Sequence, residues 1–326
     1  MDKNLSDTTL NILITGGSGF LSGRLGEYLS KKGHNIFFGT RNINSLDRKE
    51  YKKFKIVETN FEVQDSLNKA CKDIDLVIHA AGMNRSDSNA SISKAKKANL
   101  ESTKKLFMAA NKNKVSDFIF FSTVWVYRQP LQGFYNEDSC SDNDHSYSSS
   151  NLAAEKYLQK VKNNSNINIS IFRISNVIGH PLVKESHCWR LVANSFCKDI
   201  IEKKCIVINS DGSAQRDLIS MSSFCKTIYS FINCNKKNKI LFNLSSESTL
   251  NIYDLALLIK KRSKKILNLD PKVIVKKTIK EGLSQPKLLI SNKNLRDIGI
   301  TPDKALNQDI DELLMFCYKN FKPKQP

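Results

Sequence analysis

The stretch Thr15-Gly16-Gly17-Ser18-Gly19-Phe20-Leu21-Ser22-Gly23 decides the fold of this 326-residue chain. It follows a short apolar run, residues 11–15 (NILIT), and opens an amphipathic segment near residues 20–31. Between a strand and a helix, a glycine-rich turn is a cradle for the phosphates of a dinucleotide. Gly16 permits the tight turn, and Gly19 with Ser18 lets the backbone approach a pyrophosphate. The free N–H groups at Phe20 and Leu21 then offer partial positive charge to its oxygens. Where a third glycine would allow close packing of helix on strand stands Ser22, with Gly23 one place later.

Outward from this turn, apolar runs alternate with amphipathic segments. Strands are predicted near 11–15, 35–39, 54–58, 75–80, 117–122 and 168–173, with helices near 20–31, 65–72, 91–113 and 149–163. Runs without period-2 alternation suit strands covered on both faces, and βαβα order implies a parallel sheet with right-handed crossovers. The expected fold is a doubly wound α/β Rossmann-type sheet, with ligands beyond the carboxyl ends of the strands. After Gly179 the pattern loosens. Helices near 188–202, 221–233, 251–264 and 306–320 alternate with strands near 205–209, 240–244 and 272–277. This predicts a cofactor domain over 1–180, with a strand and helix added from about 211–245. A smaller mixed α/β substrate lobe is expected over 181–326. Ser139 to Ser150 has the composition of a linker.

With 51 Lys and Arg against 32 Asp and Glu, the chain carries +19, which raises nucleic acid and anionic membranes as partners. The basic residues are mostly Lys in scattered pairs such as Lys52-Lys53 and Lys236-Lys237, and no aromatic-interleaved basic stretch accompanies them. A solvated basic surface with no nucleic-acid partner is expected. The eight cysteines form no CxxC pair and no zinc-like spacing, so reduced thiols and no metal are expected. Residues 1–9 are polar, and the densest apolar stretch, 118–127, is about half a membrane span. A cytoplasmic protein without membrane insertion is predicted.

The second strand ends Phe38-Gly39-Thr40-Arg41-Asn42, without the acid that takes the ribose 2′-hydroxyl of NAD. A guanidinium at Arg41 can hold a 2′-phosphate, which favours NADP, with NAD the alternative.

At this point the chain resembles the extended short-chain dehydrogenases/reductases, the epimerase/dehydratase group acting largely on nucleotide sugars. The resemblance runs nearly end to end. It rests on TGGSGF (15–20), HAAG (79–82), Asn99 in KANLEST, STVWVY (122–127), Tyr147 with Glu155 and RISNVIG (173–179). It continues through DGSAQRDLI (211–219), FNLSSESTLNIYDLA (242–256) and LRDIGITP (295–302).

The resemblance implies that Ala80, Ala81 and Gly82 line the nicotinamide side of the cleft, with Asn99 in the cofactor set. It also implies that Thr123 hydrogen-bonds the reacting sugar oxygen and that Tyr147 exchanges a proton with it. Asn176 and Arg216 match positions that hold the nucleotide's diphosphate or sugar. A homodimer through helices near 91–113 and 149–163 would also follow, with Leu106, Phe107, Ala109 and Ala110 as an apolar face. That face would look the same as an ordinary core contact.

Three positions depart from the family pattern. Asn151 stands where the family has the lysine that holds the nicotinamide ribose and lowers the tyrosine's pKa. Moving a phenol from about 10 to 7 takes about 4 kcal/mol, which a neutral amide cannot supply, although it can bond the ribose hydroxyls. Oxidation, which needs a phenolate base, suffers more than reduction, which needs a neutral phenol. Arg128 replaces a small residue beside the cleft wall. Ser222-Ser223 replace an acidic pair, with serine expected to cap the following helix.

The reading is therefore an NAD(P)-dependent reduction, or epimerisation, of a nucleotide-activated sugar in surface-polysaccharide precursor synthesis. The alternative is a catalytically impaired nucleotide-binding protein. A 4,6-dehydratase is disfavoured because Val124-Trp125 replace the Asp-Glu that the subclass places after the threonine. His180, His187 and Cys188 are expected to contact substrate or pack.

Overall fold

Burial of both strand faces organises the molecule, a computed structural model that describes residues 8–83, 91–235, 239–277 and 286–322. The polar N-terminal segment 1–7 and the Lys236-Lys237 pair lie outside these residues. The first half runs β1 (Asn11–Thr15), α1 (Phe20–Lys31), β2 (Asn35–Thr40), β3 (Lys55–Glu58), α2 (Gln64–Ala70) and β4 (Leu76–His79). Then come α3 (Ile92–Lys96), a π-turn (Lys97–Glu101), α4 (Ser102–Lys112), β5 (Asp117–Thr123), β6 (Phe134–Tyr135), α5 (Ser146–Val161) and β7 (Asn168–Ile174).

Seven strands form one sheet in the order β3-β2-β1-β4-β5-β7-β11, with every ladder parallel. Its last strand, β11 (Leu241–Leu244), comes from the second half of the chain and lies along β7. Alternate residues of each strand enter opposite layers. Ile12, Ile14, Ile119 and Phe172 pack with Leu25, Leu29, Phe224 and Phe231 on one face. Leu13, Phe118, Phe120 and Ile171 pack with Leu106, Phe107 and Leu158 on the other. This is the doubly wound architecture expected from the sequence.

The remaining elements are β8 (Asn176–Ile178), α6 (Val192–Lys203), β9 (Cys205–Ile208), β10 (Gln215–Ser220) and α7 (Met221–Ile232). After β11 follow β12 (Thr249–Asn251), α8 (Ile252–Leu267), β13 (Lys272–Val275), β14 (Leu289–Ile290), α9 (Lys293–Asp297) and α10 (Asn307–Phe321). Helices α6, α8 and α10 enclose a third core of Phe196, Ile200, Ile206, Leu255, Ile259, Ile310 and Leu314. Small sheets β12-β10-β8, β13-β9 and β14-β6 complete this half.

Several local expectations change. The helix expected over 91–113 is split by the π-turn, where Ser102 and Thr103 hydroxyls bond back to the Ala98 and Asn99 carbonyls. The apolar face Leu106, Phe107, Ala109 and Ala110 is buried in the core under the sheet rather than left for a second subunit. The end of the Ser-rich segment is not linker but the first turn of α5. Helix α7 is capped by Ser220, whose hydroxyl accepts from Ser223 N at 3.1 Å. Ser222 instead donates to Asp309 of α10 at 2.6 Å. Among the described residues, no helix is long and apolar enough to cross a membrane.

Candidate functional site

The carboxyl ends of β1, β2, β4 and β5 meet at the glycine-rich turn. Gly16 has φ +71°, and a Cβ there would lie 3.0 Å from Ala81 Cα, so only glycine fits between the first and fourth strands. Gly19 N donates to Gly16 O at 2.7 Å, and Gly17 N to Gly39 O at 3.0 Å, tying the turn to β2. Gly19 is the N-cap of α1 and offers no capping side chain, while the first turn holds no acid. The first N–H groups of α1 are thus left without a side-chain cap, a donor set that fits a dinucleotide's pyrophosphate. Ser18 is exposed on the turn, and Phe20 and Leu21 lead the helix.

Ser22 does not play the third-glycine part. Its hydroxyl donates to Thr15 O at 3.3 Å, and close helix-strand packing falls to Gly26, where a Cβ would sit 2.3 Å from the Phe38 ring. The signal for Gly26 was present as Gly19, Gly23 and Gly26 at helical spacing.

Behind the turn, Thr15 Oγ1 accepts the N–H groups of Ala80 (3.2 Å) and Ala81 (3.1 Å). Its own hydrogen goes to His79 Nδ1 at 2.8 Å, which puts the ring proton on Nε2. Complete burial pushes the His79 pKa down to about 3. Gly82 follows on the exposed rim. Arg41 is exposed immediately after β2, one strand from the glycine turn.

Asn99 is buried, and its amide is partly engaged by protein partners. Oδ1 accepts from Met83 N (2.8 Å), and Nδ2 donates to Ser150 Oγ (2.9 Å) on α5. It thus joins the loop after β4 to the helix that carries Tyr147.

Thr123 ends β5, and its Oγ1 accepts from Trp125 N at 3.2 Å, which leaves the hydroxyl hydrogen available for a substrate oxygen. Tyr147 is the second residue of α5, whose N-cap is His145. Helix α5 packs on the short helical turn Val124–Val126, so the element that carries Tyr147 lies against the turn that follows Thr123.

Asn151, one turn along, is buried and donates Nδ2 to Tyr147 O at 2.8 Å. Its amide, expected to serve the ribose hydroxyls, is thus partly engaged by its own helix. The same carbonyl accepts from Ser150 Oγ at 3.1 Å.

Below the site lies a network that sequence reading named only in part. Glu155, 1% exposed, pairs with Arg173 at 2.8 Å and accepts from Ser122. The Arg173 guanidinium stacks 4.7 Å from the Tyr127 ring centroid, and Tyr127 Oη donates to Asn243 Oδ1 at 2.7 Å. Burial pushes the Tyr127 phenol up to about 12. Burial alone would lower Arg173; the carboxylate of Glu155 holds it up. These residues fasten β5, α5, β7 and β11 together beneath Thr123.

On the second half, Asn176 Nδ2 donates to Asp217 O at 2.9 Å. Arg216 lies with its guanidinium 4.9 Å from the Trp125 ring, bridging β10 to the turn after Thr123. Arg128 is turned outward, where it pairs with Asp142. The His180 ring stacks on Phe316 at 5.2 Å, His187 is exposed, and Cys188 is buried, its thiol pushed up to about 12 by burial. The described cysteines are all free thiols.

The model of one family, the NAD dependent epimerase/dehydratase family, matches residues 12–244. The chain belongs to this family. Among curated relatives, the dTDP-D-glucose 4,6-dehydratase of Homo sapiens is 24% identical over 259 residues, covering 75% of this chain and 71% of that protein. Among solved structures, epimerase Mth375 from Methanothermobacter thermautotrophicus superposes with a TM-score of 0.81 at 19% identity, covering 96% of this chain and 93% of that one. A UDP-glucuronic acid 4-epimerase from Bacillus cereus, solved with UDP-glucuronic acid and NAD, gives a TM-score of 0.79 at 20% identity, covering 96% and 100%. These epimerase structures share the fold of the NAD dependent epimerase/dehydratase chain described here.

Proposed function

We propose that this protein is an NAD(P)-dependent oxidoreductase acting on a nucleotide-activated sugar, and that it favours reduction of a keto-sugar by NADPH over epimerisation. The observation that supports this most is the environment of Tyr147. Thr123 Oγ1 accepts from Trp125 N and its hydroxyl hydrogen has no acceptor among the described residues, while position 151 carries a neutral amide bonded to Tyr147 O. The cofactor, when bound, supplies or takes a hydride. Thr123 donates to the sugar's carbonyl oxygen, and Tyr147 delivers its phenolic proton there. A neutral amide brings no positive charge to favour a phenolate, which suits a proton donor better than a base. Arg41 would meet the 2′-phosphate, the first turn of α1 the pyrophosphate, and Asn176 and Arg216 the sugar nucleotide. In this reading residues 1–180 with the contribution from 211–245 form the cofactor half, and 181–326 the substrate half.

Likeness to a 4,6-dehydratase does not carry the elimination chemistry here. Val124 is fully buried, and Trp125 packs against Arg216, so no carboxylate follows Thr123. The test compares initial rates of the purified protein reducing a keto nucleotide sugar with NADPH and with NADH, and oxidising the hydroxyl form with NAD⁺. Faster reduction with NADPH is expected; oxidation as fast as reduction would overturn the assignment. Asn151→Lys separates a working reductase, which gains little or loses, from an impaired site, which gains oxidative turnover.

A further inference from the structure

We propose that His145 is a positioning residue for the acid/base tyrosine, and that it acts as a titratable cap on the helix carrying it. The inference rests on the reading of Tyr147 given above.

The first four N–H groups of a helix lack partners within it. In α5 the N–H of Tyr147 itself is one of these, and it donates to His145 Nδ1 at 3.2 Å. His145 has the extended backbone of a cap, φ −61° and ψ 129°. Its own N–H donates to Asn143 Oδ1 at 3.0 Å, and Asn143 Nδ2 donates to Trp125 O at 2.8 Å. Trp125 N donates to Thr123 Oγ1. A continuous chain of hydrogen bonds therefore runs from the hydroxyl of Thr123 to the main chain of Tyr147. It sets the spacing of two groups from separate elements.

Most caps are Ser, Thr, Asp or Asn, which still accept through the neutral pH range. An imidazole nitrogen accepts only while it is unprotonated. Protonation turns Nδ1 into a donor facing another donor, and sets a cation against the positive end of α5. Among the described residues, Arg128, Asp142 and Asp144 line the same hollow as His145, and Arg128 pairs with Asp142. Helix α3 and the π-turn, both packed along α5, carry Lys94, Lys96, Lys97 and Glu101. Loss of the cap on acidification would free the first turn of α5 and with it the tyrosine ring.

The test uses the full chain and two variants, His145→Ala and His145→Asn, the second keeping an acceptor that does not titrate. Turnover is measured across pH at saturating NADPH, together with amide hydrogen exchange over residues 145–150, corrected for intrinsic rates. His145→Ala should lower kcat about tenfold at neutral pH, quicken exchange at Tyr147, and leave the KM for NADPH within about twofold. His145→Asn should restore kcat and protection and should lack the acidic fall in kcat expected of the native protein. Native kcat and protection in His145→Ala, or a native acidic limb in His145→Asn, would overturn the proposal. Should the native protein reduce no nucleotide sugar, the proposed reaction fails, but the exchange measurement still decides the cap.

Discussion

An alanine at position 16 would have to hold φ +71° with its Cβ 3.0 Å from Ala81 Cα. The left-handed backbone alone costs about 1–2 kcal/mol for a residue with a Cβ, and the crowding pushes β4 away from the turn. Gly16→Ala should therefore weaken binding of the reduced nicotinamide dinucleotide, followed by its fluorescence, by at least about tenfold. The hydroxyls across the cleft make a different prediction. Tyr147→Phe should lower kcat by about 10²–10⁴-fold while leaving cofactor affinity nearly unchanged, since a phenyl ring fills the same space without the proton. Thr123→Val should lower kcat less, about tenfold, as one hydrogen bond to the developing charge is lost while the acid remains. Both are read from saturation kinetics beside a cofactor titration. A fall in cofactor affinity equal to the fall in kcat would show the residues to be structural.

At the scale of elements, the position of α5 is held by the buried Glu155–Arg173 pair, with side chains 1% and 4% exposed. Removing one partner leaves an uncompensated buried charge, so Glu155→Gln should cost about 3–5 kcal/mol in denaturant unfolding. Replacing both partners by apolar residues, as in Glu155→Leu with Arg173→Met, should cost less than the single change. The pair also explains the place of Tyr127: its ring carries the guanidinium and its hydroxyl reaches Asn243 in β11. A strand from late in the chain is thereby fixed to the floor of a site built early in it.

For the whole molecule, two buried groups give opposite pH dependences. Burial depresses His79 from 6.5 to about 3, so the folded state binds fewer protons than the unfolded chain in that window. Its contribution, about 5 kcal/mol, is present above pH 6.5 and is lost as pH falls to about 3. Burial raises Asp217 from 3.8 to about 6, so this group stabilises below pH 3.8 and loses that contribution as pH rises to about 6. Its Oδ1 accepts from Ser246 N at 3.1 Å, while Oδ2 has no partner among the described residues. Asp217→Asn should therefore be stabilised relative to the native protein increasingly between pH 4 and 6, by about 3 kcal/mol at the end of that range. Chemical denaturation of both proteins across pH measures the difference directly, and a difference that does not change with pH would refute it.

Sequence alone determined the doubly wound fold and the glycine turn between β1 and α1, and it supplied Thr123, Tyr147 and Asn151, on which the proposed reaction rests. Those signals are local: a strand's apolar run, a turn that only glycine can make, a spacing along one helix. What Asn99, Asn151, Arg173 and His145 bond to was decided only by tertiary structure. Each has a polar side chain with several possible partners, and its choice depends on which groups the packed sheet brings within hydrogen-bond distance while excluding water. That Asn99 joins Met83 to Ser150 follows from the loop after β4 lying against α5. Gly26 and the π-turn escaped for the same reason: the closeness of Phe38 and the back-bonding of Ser102 and Thr103 exist only once helix and sheet are packed. The apolar face of α4 shows the limit most plainly, since a stripe of buried residues has one pattern whether it meets its own sheet or another subunit.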